Sequence, residues 1–199
     1  MKKQLGPSNA IFPVPASLVV SGKGEDANII TIAWIGIVSA TPPTVGISVK
    51  KSRYSLEKIR ESGEFTVNIP SADYCEKVDY CGLTTGRKRN KFKDTGFTPI
   101  KSKKIDAPII EECPYNMECK VSQEIDVGGW VLILGEILES HVDEDKVDLS
   151  KKDKIDMSKV NPLVYCAKVR EYWSMGDKLG DGFEAGKKLV KGLKQTNEP

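Results

Sequence analysis

The sequence predicts a mainly β fold, a barrel or sandwich carrying helical insertions. Three observations predict it. About seven short apolar runs follow one another at hairpin-scale separations, with Gly, Pro or Asn turn signals between them. Only two or three segments have helical spacing. Strands and long helices do not alternate, so a doubly wound parallel sheet is excluded.

The elements follow in order. "SLVVSG" ends at Gly22, and "GKGEDAN" is a hairpin loop leading into "NIITIAW" and "IGIVSA". "ATPPT" then breaks the chain, because prolines do not sit inside a central ladder. In "TVGISVK", Val45, Ile47 and Val49 alternate with smaller or polar residues, as Phe65, Val67 and Ile69 do in "EFTVNIP". Between these strands a helix is expected, with Ser52 as its N-cap, Arg53, Tyr54 and Ser55 in its first turn, Leu56 and Ile59 facing the core, and Gly63 as its stop. Tyr74, Val78 and Cys81 predict a second helix in "ADYCEKVDYCGL". "TTGRKRNKFKDTG" is expected as a basic loop and "APIIEECP" as extended chain. In "MECKVSQEIDV", Cys119, Val121, Gln123, Ile125 and Val127 share one face and Glu118, Lys120, Ser122, Glu124 and Asp126 the other. "WVLILGEILESHV" is apolar on both faces at its start, as a central barrel or interface strand would be. "NPLVYCAKV" is expected to close the sheet. The Gly-rich chain after Glu171 leads to a short amphipathic piece and a flexible end, so one domain over 1–190 and a tail over 191–199 are expected.

Composition narrows the function. A net charge of +2 gives no bulk attraction to nucleic acid or anionic membrane. No stretch approaches the apolar length of a membrane span, and no signal peptide is evident, so a cytoplasmic protein is expected. Five cysteines without a C-x-x-C pattern, and one histidine, fit reduced thiols better than a disulfide framework or a metal site. His141 reads as a surface residue. Neither dinucleotide-binding nor P-loop glycine patterns occur, and no acid–base machinery stands out.

One stretch does carry chemistry. "SVKKSRYSLEKIRESGEFTVNIP" gathers lysines, an arginine and hydroxyls where a helix starts. A cation there is opposed by the helix dipole unless an anion is shared between them. Arg53, Ser52 and Ser55 fit a phosphate; an ordinary cap with a solvated arginine is the alternative. The basic run from Gly86 to Phe92 could supply a second partner. A phosphate site without a side-chain base points to a bound cofactor that performs the chemistry.

The run "NIITIAWIGIVSATPPTVGISVKKSRYSLEKIRESGEFTVNIP" resembles the flavin reductase-like family of FMN-binding split barrels, above all its flavoredoxin branch. "VDYCGLTTGRKRNKF", "APIIEEC", "MECKV", "GEI" and "YWSMGDKLGDGFEAGK" extend the resemblance from about Leu18 to Lys187. It implies a six-stranded antiparallel Greek-key barrel with peripheral helices, a homodimer, and FMN in a groove at the dimer interface. It implies phosphate contacts from Ser52, Arg53 and Ser55, with Tyr54 beside them and Lys91 and Phe92 from the basic loop. Asn28, Ile29, Thr31, Ala33 and Trp34 would lie along the isoalloxazine, Ser48, Val49 and Lys50 along the ribityl chain, and Cys81 close to the flavin. The implied activity is a flavin-dependent oxidoreductase passing electrons to flavin, ferric iron or a protein. It is reduced either by NAD(P)H or, as an electron carrier, by a protein partner. Gly128, Gly129 and Trp130 stand where many relatives carry a histidine, which puts nicotinamide use in question. A non-redox binding barrel is the remaining alternative.

Overall fold

Apolar alternation builds the strands in the order in which the chain presents them. The computed structural model describes residues 1–148, 150, 154–187 and 189. The strands are β1 Val14–Pro15, β2 Ser17–Ser21, β3 Asn28–Ile32, β4 Ile35–Ala40, β5 Pro43–Lys50 and β6 Glu64–Ile69. They continue with β7 Pro99–Ile100, β8 Ile109–Ile110, β9 Tyr115–Val127, β10 Trp130–Val142, β11 Val147–Asp148, β12 Lys154–Ile155, β13 Val164–Cys166 and β14 Glu171–Trp173. Four α-helices with full bounds are interspersed among the described residues: α1 Tyr54–Ser62, α2 Cys75–Leu83, α3 Lys91–Thr95 and α4 Met157–Val160.

One large antiparallel sheet runs in the order β3-β2-β6-β9-β10-β5-β4. Its outermost strands, β3 and β4, are consecutive in the chain, with only Ala33 and Trp34 between them. The Ser48 amide also donates to the Trp34 carbonyl at 2.9 Å. The sheet therefore curls back on itself as a barrel, as expected for the mainly β class. It has seven strand segments where six were expected, because one strand path is broken at Ala33–Trp34.

The register stacks the predicted apolar residues inward. Ile47 pairs with Ile133, Val49 with Val131, Phe65 with Cys119 and Val19 with Val67. Gly135 leaves room for the Phe65 ring, since a Cβ there would lie 2.5 Å from Phe65 Cζ. Leu56 and Ile59 join this core, so α1 plugs one end of the barrel. Gly63 ends the helix in the left-handed region, φ 69°. A second apolar cluster, including Leu18, Val20, Ile29, Val78 and Cys81, lies under α2 on the outer face of β2 and β3.

Several expectations are corrected. Arg53, not Ser52, occupies the N-cap position of α1, with extended backbone and no side-chain cap. The basic loop contains the short helix α3. "APIIEECP" is a strand only at Ile109–Ile110 and then turns. The alternation of β9 is interrupted at Ser122, where the register slips between the Gln123 and Val121 pairings. Glu118, assigned to a polar face, is fully buried. "NPLVYCAKV" does not close the barrel; β13 pairs with β1 and β14 in a separate three-stranded sheet. His141 is no free surface residue, since its Nε2 lies 2.7 Å from the Glu118 carboxylate. The expected tail over 191–199 lies outside the described residues.

Candidate functional site

The barrel surface next to α1 carries a groove with two lobes, of about 300 and 320 Å³, which share Ile30, Lys50 and Arg53. In the first lobe, Ser52, Arg53, Tyr54 and Ser55 at the start of α1 face Asn28 of β3, Thr84–Gly86 after α2, and Lys91 of α3. The Asn28 amide donates to the Ser55 hydroxyl at 2.7 Å, leaving that hydroxyl's own proton for a ligand. Gly86 packs too closely for any side chain, since a Cβ would fall 2.0 Å from Asn28 Oδ1.

Ion pairing sorts the basic residues here. Arg87 is engaged by Glu57 and lies over the Tyr54 ring, Arg89 by Asp94, Lys51 by Asp126, and Lys58 by Asp26 and Glu61. Lys50, Arg53 and Lys91 face the groove and have no carboxylate partner among the described residues. Lys91 is only 3% exposed, and its Nζ donates to the carbonyls of Ile29 and Cys81, at 2.7 Å each. An ammonium has a third proton to give. Burial, reinforced by the Arg53 cation and partly offset by Cys81, lowers Lys91 to about 8. Free N–H groups at a helix start, three uncompensated cations and two hydroxyls make a cradle for a phosphate dianion.

The second lobe is aromatic. Thr31, Ala33, Trp34, Ser48, Trp130 and Tyr165 line it, with Asn9, Ile32 and Ala167. Trp34 and Trp130 pack against each other, tilted by 46°, with ring centroids 4.2 Å apart. Such walls suit a planar heterocycle.

The sequence-selected residues separate accordingly. Ser52, Arg53, Tyr54, Ser55, Lys91 and Asn28 meet at the anion end, and Thr31, Ala33, Trp34 and Ser48 at the planar end, with Lys50 bridging them. Asn28 therefore lines the lobe at the start of α1 and not the aromatic lobe of Thr31, Ala33 and Trp34. Ile29 and Val49 turn their side chains into the two cores. Cys81 is buried, and burial pushes its thiol up to about 11, partly offset by Lys91, so it contributes its carbonyl rather than reactive sulfur. Phe92 points into a different cleft on the far side of α3. Sequence reasoning missed Thr84, Thr85, Ile30, Tyr165, Asn9 and Ala167, whereas Gly86 opened the basic run it selected. The "TTG" stretch carried a signal only as a turn, and Tyr165 reaches the groove from the separate small sheet. All five cysteines are free. Among the described residues no cluster of three metal-ligating side chains occurs, and no helix is long and apolar enough to cross a membrane.

Barrel and groove together define a split-barrel protein whose site suits a planar ligand bearing an anionic group. The chain belongs to the flavin reductase like domain family, which matches residues 9–174. It is similar to a protein of Archaeoglobus fulgidus, with 36% identity over 71% of this chain and 82% of that one. Its structure is similar to the flavoredoxin of Desulfovibrio vulgaris, at 34% identity and TM-score 0.88, covering 94% of this chain and all of that one. It is likewise similar to a flavoredoxin from Methanosarcina acetivorans, at 32% identity and TM-score 0.86, covering 95% of this chain and all of that one. Membership places the chain among flavin-linked redox proteins.

Proposed function

We propose that this chain is an FMN-binding oxidoreductase that passes electrons through the flavin to an acceptor: free flavin, ferric iron or a protein. The observation that carries this reading is the shared groove, with an anion cradle at one end and an aromatic slot at the other. FMN has matching parts, a phosphate and an isoalloxazine joined by a ribityl chain, and when bound it supplies the redox chemistry at N5. Ser52, Arg53, Ser55 and Lys91 would hold the phosphate. Lys50 and Ser48 would face the ribityl chain, and Trp34 would orient the ring. The chain's own residues would bind and orient the flavin. Flavoredoxins among its structural relatives support this reading.

A second reading, an electron carrier with no direct use of NAD(P)H, is favoured by one observation. Trp130, whose ring packs tilted against Trp34 at the planar end, stands with Gly128 and Gly129 in the stretch where many relatives carry a histidine. The site reading further includes a cytoplasmic homodimer. Val38 lies exposed beside Leu132 and Leu134 on the outer sheet face, where exposed Ile125 and Val127 pair with Leu132 and Trp130, an apolar surface that a second copy would cover. Light scattering of the flavin-loaded protein at micromolar concentration should give twice the 21.9 kDa chain mass; a monomer would refute the dimer.

Heat-released cofactor should chromatograph as FMN, at about one per chain. Protein that stays colourless after soaking in FMN overturns the proposal. Anaerobic mixing with NADH and NADPH, following flavin bleaching, separates the two readings.

A further inference from the structure

Across α3 from the groove lies a larger cleft, of about 610 Å³, that the flavin reading does not use. Lys91 faces the groove, whereas its neighbours Asn90, Phe92 and Lys93 face this cleft. The wall is apolar, with Ala27, Phe92, Phe97, Pro99, Ile100 and Pro108. Phe97 is 3% exposed at the base and Ile100 is 40% exposed at the edge.

The wall is preformed. The buried Glu118 carboxylate accepts the amides of Lys103 and Lys104, at 2.8 and 2.6 Å. The Asp106 amide donates to Glu64, and the Thr98 amide and hydroxyl both donate to Glu112. These bonds fix the chain from Thr98 to Pro108 against the barrel, so a ligand would not have to order it.

The charges on the rim are unbalanced. Asp106 is paired with Lys23 at 3.2 Å. Lys93 and Lys101 have no acidic partner among the described residues, and Glu25 is the one acid on the wall without a cation. Two cations over an apolar floor complement a ligand with an apolar body and one negative group, in a cleft of a size common for small-molecule sites.

We propose that this cleft binds a small aromatic acid, its ring against Phe97, Ile100 and Pro108 and its anionic group toward Lys93 and Lys101. The site stands apart from the groove and does not rest on the flavin reading.

The test is isothermal titration calorimetry with 2-naphthoate and neutral 2-naphthamide, on protein first titrated with FMN. The FMN step reports on the groove separately; if FMN fails to bind, the naphthoate titration still reads the cleft. Saturable naphthoate binding at one per chain, unchanged by FMN, is expected. Lys93→Glu/Lys101→Glu should weaken naphthoate by about tenfold or more and naphthamide by less than about twofold. Ile100→Asp should weaken both. Displacement of naphthoate by FMN, absence of saturable binding, or equal affinity in wild type and all variants would overturn the proposal.

Discussion

Replacing Arg53 by alanine tests the anion cradle at its centre. Arg53 borders both lobes of the groove, stands at the N-cap position of α1 and has no carboxylate partner among the described residues. Its loss removes a charge-assisted contact to the phosphate, worth roughly 1.5–3 kcal/mol. FMN affinity should therefore fall by about ten- to a hundredfold. Part of the loss is offset, because removing Arg53 takes a repelling cation away from Lys91 and makes that ammonium easier to keep charged. Riboflavin lacks the phosphate, so its affinity should change little. Arg53→Lys should restore only part of the FMN affinity, since an ammonium lacks the guanidinium fork. Without flavin the variant should be as stable as wild type or slightly more so, because a cation at a helix start is mildly unfavourable. The assay is quenching of flavin fluorescence, titrated with FMN and riboflavin in parallel. Equal weakening of both ligands would show that Arg53 supports the fold and that the phosphate assignment is wrong.

Other expectations follow from neighbouring residues. Lys91 binds its proton more weakly folded (about 8) than unfolded (10.5), so apoprotein stability should rise with pH between these values, by up to about 3 kcal/mol; urea melts at pH 8 and 10 check this, and Lys91→Met should flatten the rise. In the same range FMN affinity should fall by up to about tenfold per pH unit while riboflavin affinity stays level, because only the charged amine attracts the phosphate. Gly86→Ala should weaken FMN binding by about 1–3 kcal/mol in the same titration, as the new methyl drives Asn28 away from Ser55. For Glu118, burial alone would raise the carboxyl, but the Lys103 and Lys104 amides and the His141 ring outweigh it and hold it below 4.5. Its contribution is present above that value and lost as pH falls through the lowered one, so Glu118→Gln should lower the melting temperature at pH 7 and leave a shallower acid limb.

The legible part of this fold is the part governed by local pattern. Val45, Ile47 and Val49, then Phe65 and Val67, announced two barrel strands by alternation alone, and Gly63 announced the end of α1. Local pattern fails where a distant segment decides. Glu118 looked solvated because its partners, the amides of Lys103 and Lys104 and the ring of His141, come from elsewhere in the chain. Ser52 looked like a cap by composition, but the Arg53 amide bonds the Lys50 carbonyl in a turn that starts the helix one residue later. At the site, the residues at the start of α1 were readable because opposing a helix dipole needs a reason. Asn28 was read as part of a ring-facing strand, since nothing local reveals that its amide reaches Ser55. Tyr165 and Trp130 enter the groove only through tertiary packing. Lys91 was selected, yet its burial between two carbonyls could not be read from a basic run.

The central claim is that one groove holds FMN with its phosphate at the start of α1. A crystal structure of the FMN-soaked protein tests it most directly. The account predicts one flavin per chain, its phosphate in contact with Ser52, Arg53, Ser55 and Lys91 and its ring beside Trp34. A flavin bound elsewhere, or one whose phosphate points into solvent away from these residues, would contradict it.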